Sequence, residues 1–295
     1  MKPHHLLLTL LLSYPLFAQS PLQTQLKQIA QTANGRVGIA ATVIETGKSV
    51  ALHGNERFPM QSVYKLPISM AVLQQVDKGR LKLDQRVKVK TSDFVTPGQH
   101  SPIRDKYPNG TELSLSELLR YNVSESDGTA CDVLLRLIGG PKVVMQYLHS
   151  LGVKHMIVAN TEKEIGSDNA VQYQNWSTPT DAVLLLKALQ EGRTLAESSR
   201  GLLFRWITET PTGVRRIKAL LPKGTVVAHK TGSSGTVNGV TAATNNIGLV
   251  TLPNGHHIAI AVFVSDAKAD ESVRDKVIAR AAQAVYDAWS PAILK

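Results

Sequence analysis

The spacing of apolar positions changes twice along the chain. Leu22, Leu26 and Ile29 fall on one helical face, with Ser20-Pro21 as its cap and first position and Gly35 beyond its end. Residues 37–44, rich in β-branched residues and alanine, the turn Glu45-Thr46-Gly47-Lys48 and residues 49–52 read as a hairpin. From residue 60 the period becomes helical. Residues 62–78 carry Leu66, Met70, Leu73 and Val76 and stop at Gly79. Pro67 fits only if this helix starts near Ser62. Ser114-Leu115-Ser116-Glu117 is a capping box opening a helix to about Tyr121. Residues 130–138, a segment from Pro141, and residues 180–189 and 196–208 predict further helices. Strands return at 225–230, 241–251 and 257–265, with Pro253-Asn254-Gly255 as a turn, and residues 270–289 close the chain as an amphipathic helix.

Short turns between strands predict an antiparallel sheet. The expected class is α/β in the broad sense (α+β): a five-stranded antiparallel sheet flanked by helices, with an inserted all-helical subdomain. The division is residues 19–58 and 209–295 for the sheet part and 59–208 for the helical part, with the site between them. Residues 1–18 read as a secretory signal peptide. Lys2 starts it, residues 6–12 are almost continuously apolar, and Ala18 suits cleavage before Gln19. Pro15 interrupts a stretch too short to span a bilayer. The mature chain is thus expected to be exported, soluble and free of the membrane.

Composition narrows the function. One cysteine, Cys131, excludes an internal disulfide and argues against Cys-based metal sites. The formal charge of +10 could suit nucleic acid, but aromatics are only 5% and Arg215-Arg216 belongs to no long basic run. No nucleic-acid partner is expected. Adjacent His256 and His257 on a strand point to opposite faces and cannot easily share an ion. No metal and no cofactor are expected. Trp176 and Trp206 read as packing residues.

Ser62-Val63-Tyr64-Lys65 puts a serine at a helix start and a lysine one turn on, on the same face. A serine hydroxyl needs a neighbouring base, and a lysine serves only if burial or cations depress its pKa. The helix N-terminus adds N–H groups where an oxyanion would form. Roughly one Ser-x-x-Lys is expected by chance in such a length, and Ser265-Asp266-Ala267-Lys268 is a second copy, read as a polar turn. The first copy stands out by its company. Ser126-Asp127-Gly128 lies between two helices, and Lys230-Thr231-Gly232 ends a strand before Ser233. A second serine–lysine set can relay a proton, and the glycine admits a substrate at the strand edge.

These three motifs, in this order, resemble the class A serine β-lactamases. Phe58-Pro59-Met60-Gln61-Ser62, Ser124-Glu125-Ser126-Asp127, Tyr173-Gln174-Asn175-Trp176, Ala228-His229-Lys230-Thr231-Gly232 and Ala242-Ala243-Thr244-Asn245 resemble the PER/VEB-type extended-spectrum branch. The resemblance implies an enzyme that hydrolyses the β-lactam amide of penicillins and cephalosporins through a serine acyl-enzyme, conferring antibiotic resistance. It implies a monomeric periplasmic hydrolase whose partners are small β-lactam substrates and inhibitors. Ser62 is then the nucleophile and Lys65 its partner base. Ser126 relays the proton to the β-lactam nitrogen, with Lys230 beside it. Thr231, Gly232, Ser233 and Arg216 bind the substrate, Arg216 being otherwise a surface arginine. The backbone N–H groups of Ser62 and Ser233 form the oxyanion hole. For the deacylating base the segment 159–166 offers Glu162 and Glu164. Only Glu162 has the family's three-residue spacing to an apolar residue, Ile165.

Three departures from the family follow. Gly166 stands where members carry an asparagine or histidine that helps hold the hydrolytic water. Gly128 replaces an asparagine that contacts the substrate side chain. No arginine precedes Glu162 closely, and the loop is one residue longer. A looser, wider site is expected. His100 takes the place of an aromatic residue at the rim. The competing readings are a penicillin-binding D,D-peptidase, a β-lactam sensor that acylates once, and a glutaminase-like amidase.

Overall fold

A computed structural model describes residues 20–290; the leader and its cleavage point lie outside these residues. The five strands are β1 (Arg36–Val43), β2 (Ser49–Leu52), β3 (Val227–Ser233), β4 (Thr244–Thr251) and β5 (His257–Ser265). They pair antiparallel in the order β2-β1-β5-β4-β3. The first and last strands of the chain lie side by side, Arg36 opposite Ser265. The fold class is the expected one.

Both faces of this sheet are buried, which explains why its strands read as nearly continuous apolar runs. Ile39, Ala41 and Val43 of β1, with Ile258, Ile260 and Val262 of β5, face the Pro21–Gln31 and Glu271–Trp289 helices. The alternate residues, Ala40, Ala261 and Phe263, join the core of the inserted helices. Phe58 sits where the parts meet. Its ring stacks on Phe263 with centroids 5.9 Å apart. Gly38 makes room for it, since a Cβ there would lie 2.3 Å from the Phe58 ring.

The inserted part is helical apart from short strands, Arg86–Val89 paired with Thr111–Ser114, and Trp176–Ser177 paired with both Phe58–Pro59 and Met156–Ile157. The Pro179–Gln190 helix, although within it, packs on the sheet. Three local expectations are refined. The serine–lysine segment is a 3₁₀ turn, Gln61–Tyr64, followed by an α-helix, Lys65–Asp77, so Pro67 falls in the first α turn. The strand expected at 241–251 is broken after Thr241, because the Ser234 hydroxyl accepts the Ala243 N–H at 2.9 Å and replaces a ladder bond. β3 runs through Lys230-Thr231-Gly232 instead of ending there, since Gly232 and Ser233 still pair with Asn245 and Thr244.

Truncating a buried aromatic side chain costs about 3–5 kcal/mol. Phe58→Ala is expected to lower stability by that amount, read from the midpoint of urea unfolding.

Candidate active site

The site lies where several chain segments converge on a cavity of about 720 Å³ walled by Ser62, Lys65, His100, Ser126, Glu162, Arg216, Thr231, Gly232 and Ser233. Gln61, with φ +47, turns the chain into the 3₁₀ turn that carries Ser62. The Lys65 ammonium is buried and donates to Ser62 Oγ at 2.9 Å and to the Ser126 carbonyl at 2.9 Å. It lies 2.8 Å from Glu162 Oε1. Ser126 holds φ +60, a strained value for a residue with a Cβ. That backbone turns its carbonyl to Lys65 while its hydroxyl accepts from Lys230 Nζ at 2.9 Å.

The two lysines are tuned in opposite senses. Burial alone would lower the Lys65 pKa, but the adjacent Glu162 carboxylate outweighs it and holds the ammonium above its ordinary value. Burial would raise Glu162, but the Lys65 charge prevails and keeps the carboxyl below its usual range. The pair is therefore ionic at rest. Lys230 is the depressed lysine, by burial first and then by the Lys65 charge. The requirement for a depressed lysine beside Ser62 is thus not met in the resting enzyme.

The choice between the two glutamates has a structural reason. Thr161 caps the short Glu162–Ser167 helix, and Glu164 completes the capping box by accepting from Thr161 N at 2.8 Å. Glu164 is exposed and committed to that cap, while Glu162 is buried against Lys65 and accepts from the Tyr64 hydroxyl at 2.7 Å. The pattern Thr161-x-x-Glu164 was visible in the sequence and would have removed Glu164 by itself.

β3 is an edge strand of the sheet, and its free edge lines the cavity. Gly232 abuts the turn before Ser62: a Cβ there would come 2.3 Å from the Met60 carbonyl. The glycine thus serves close packing of the strand edge, which sets Ser233 opposite Ser62. The Asn245 side-chain amide fastens the same junction, donating to the carbonyls of Pro59 at 2.8 Å and Met60 at 3.1 Å. Thr231 donates to Thr212 Oγ1 at 3.1 Å.

Of the remaining expected substrate contacts, Arg216 lines the cavity and Gly128 does not. Arg216 is neither a surface residue nor a free guanidinium. It is buried, bonded to Asp275 at 2.7 Å and to the Asn245 carbonyl at 2.9 Å, and donates to Ser233 Oγ at 2.8 Å. Arg215 is the exposed arginine of the pair. Gly128 does not line the cavity. It is the first residue of the Gly128–Ile138 helix, donates to the His100 carbonyl at 3.0 Å, and a Cβ would lie 3.2 Å from that oxygen. His100 does stand at the rim, with Nε2 at 2.9 Å from the Glu125 carbonyl.

Residues 21–289 match the profile described as the "Beta-lactamase enzyme family". The chain belongs to this family. The extended-spectrum β-lactamase PER-1 of Pseudomonas aeruginosa is 42% identical over 277 residues, covering 93% of this chain and 89% of the relative. The β-lactamase VEB-1 of Pseudomonas aeruginosa is 38% identical over 90% of this chain and 89% of the relative. A crystal structure of a β-lactamase from Chitinophaga pinensis superposes with TM-score 0.89 at 48% identity, covering 91% of this chain and 99% of that one. The protein is a serine β-lactamase of class A, a hydrolase.

In this β-lactamase the loop bearing Glu162 is pinned without the family's arginine. Asp132 accepts from the backbone N–H groups of Glu162 at 2.7 Å and Lys163 at 3.0 Å. Asn175 Oδ1 accepts from those of Ala159 at 2.8 Å and Asn160 at 2.9 Å. The Lys163 ammonium reaches the Ser92 carbonyl. The missing arginine, read in sequence as pointing to a looser, wider site, says nothing of these contacts, because a carboxylate in one helix gives no sign in sequence of which distant amides it serves.

Burial pushes the Asp132 carboxyl up to about 6, against the pull of its two N–H donors; Glu162 adds to the rise. The folded protein therefore holds more protons at Asp132 than the unfolded chain does between the ordinary value of 3.8 and about 6. This contribution to stability is present at low pH and is lost as pH rises through that window, by at most about 3 kcal/mol. Asp132→Asn cannot titrate. The stability difference, variant minus wild type, is expected to rise from pH 4 to pH 7 in urea titrations.

Proposed function

We propose that this enzyme hydrolyses the β-lactam amide of penicillins and cephalosporins through an acyl-enzyme on Ser62. The observation that carries the reading is the Lys65 ammonium, in contact at once with Ser62 Oγ, Glu162 and the Ser126 carbonyl. Lys65 passes a proton to Glu162 and takes the proton of Ser62 as Oγ adds to the lactam carbonyl. The N–H groups of Ser62 and Ser233 receive the oxyanion; each such donor contributes about 10²–10³ in rate. The C–N bond then breaks, and the leaving nitrogen takes its proton from the Ser126 hydroxyl. Lys230, hydrogen bonded to that hydroxyl and of depressed pKa, replaces it readily; the proton held since acylation passes back to restore the relay. Glu162 next takes a proton from water, the hydroxide adds to the ester carbonyl, and Ser62 Oγ departs with that proton.

Thr231, Ser233 and Arg216 form the substrate-carboxylate end of the cavity, with His100 at the opposite rim. Arg216 acts through Ser233, whose hydroxyl it orients. The relatives named as extended-spectrum enzymes support cephalosporins, oxyimino types included, as the substrate range. The enzyme works as a monomer in the periplasm, delivered by the leader at residues 1–18, with no nucleic-acid or membrane partner. Among the described residues no helix is long and apolar enough to cross a membrane.

General-base catalysis contributes about 10²–10⁴ in rate. Glu162→Gln is expected to slow deacylation by that factor and to leave a covalent adduct on Ser62, visible by intact mass after mixing with a chromogenic cephalosporin. Turnover at the wild-type rate with no adduct would remove Glu162 from the mechanism. A hydrogen bond to a charged group contributes about 1.5–3 kcal/mol. Arg216→Ala is accordingly expected to raise KM by roughly 10–100-fold. An unchanged KM across several cephalosporins would confine Arg216 to support of the fold.

A further inference from the structure

Gly166 leaves a gap on the cavity wall one helical turn beyond Glu162, and the gap is filled from across the cavity. A Cβ at residue 166 would lie 2.4 Å from Gln99 Oε1, 2.5 Å from its Cδ and 2.8 Å from its Nε2. The Gln99 amide thus takes the volume that a side chain at 166 would need, and it is bonded at both ends. Nε2 donates to the Glu162 carbonyl at 2.5 Å. Oε1 accepts from Thr96 N at 3.2 Å and Thr96 Oγ1 at 3.0 Å. The backbone beneath Gln99 is held as well: Arg104 Nη1 donates to the carbonyls of Thr96 at 2.7 Å and Gln99 at 3.0 Å. Asp132 grips the amides of Glu162 and Lys163 from the core side, so Gln99 closes the opposite side of the same peptide run.

We infer that Gln99 is a positioning residue for deacylation: its amide replaces a side chain at residue 166 and fixes the main chain of Glu162 across the mouth of the site. The inference rests on Glu162 as the deacylating base. A side chain at residue 166 would have to displace the Gln99 amide from the place it holds here. Acylation depends less on this contact, because the Glu162 carboxylate that receives the Lys65 proton is also held by Lys65 at 2.8 Å and by the Tyr64 hydroxyl at 2.7 Å, and Lys65 and Ser62 are held by other segments. Loss of the contact lets Glu162 drift relative to the ester, and a misplacement of ~1 Å can cost up to about 10²-fold in rate.

The test uses the mature enzyme and its Gln99→Ala, Gly166→Asn and Gln99→Gly/Gly166→Asn variants, with a chromogenic cephalosporin. Gln99→Ala is expected to lower kcat about tenfold with kcat/KM within about twofold, and to accumulate the Ser62 adduct in time-resolved intact mass. Gly166→Asn alone is expected to slow deacylation by displacing Gln99, and the double variant to recover most of the loss. Amide hydrogen exchange at residues 162–166 is expected to speed up in Gln99→Ala, a readout independent of the chemistry. An unchanged kcat in Gln99→Ala, an equal loss in kcat and kcat/KM, or Gly166→Asn at wild-type rate beside an intact Gln99 would each overturn the inference. If Glu162→Gln traps no adduct, the failure lies with the deacylating base; the exchange and double-variant results still decide whether Gln99 holds the loop.

Discussion

The site is organised by the need to satisfy one buried ammonium. Lys65 is almost without solvent, and an isolated charge there would cost several kcal/mol. Its partners come from three separate places: Ser62 on the preceding turn, the Ser126 carbonyl between two helices, and Glu162 on the capped loop helix. Each is held by independent means. The Asn122 amide donates to the Lys65 carbonyl at 3.0 Å, the Ser126 backbone accepts a strained φ, and Asp132 grips the Glu162 peptide. Folding the inserted part and bringing these groups together are in this sense the same event.

A second charge stands just beyond the first. Lys230 approaches from the sheet, and its depressed pKa is in part a consequence of the Lys65 charge. The enzyme thus carries one lysine that favours its proton and one that releases it readily, bridged by Ser126. That difference comes from where the carboxylate lies. Glu162 contacts Lys65 directly, whereas Lys230 is bonded only to oxygens of Ser126 and Thr231.

The elements and most of the groups that meet in the cavity were legible in the sequence. Period changes located both ends of the sheet and the helical insertion, and motif order singled out Ser62, Lys65, Ser126 and Lys230. What stayed hidden shares a physical cause. For Arg216 the sequence left a substrate contact and a surface arginine both open, because nothing local shows that Asp275, some sixty positions away, lies beneath it. The glycine at 128 was read as a missing substrate contact, although its packing against the His100 carbonyl keeps it off the cavity wall. Asp132, Asn175, Asn245 and Gln99 act by side-chain contacts to distant backbone, and such contacts leave no periodicity. The capping box at Thr161 was local and could have been seen.

The pairing of β1 with β5 has a consequence for the life of the chain before it is an enzyme. Arg36 meets Ser265 and Val43 meets Ile258, so the earliest strand, already paired with β2, waits for nearly the last part of the polypeptide before it finds its second neighbour. Pairing over such sequence distance is entropically late. During synthesis the N-terminal hairpin therefore has no sheet to join and no terminal helix to cover its apolar face. This topology acts as a timer: the sheet cannot close until both ends of the polypeptide that builds it are present.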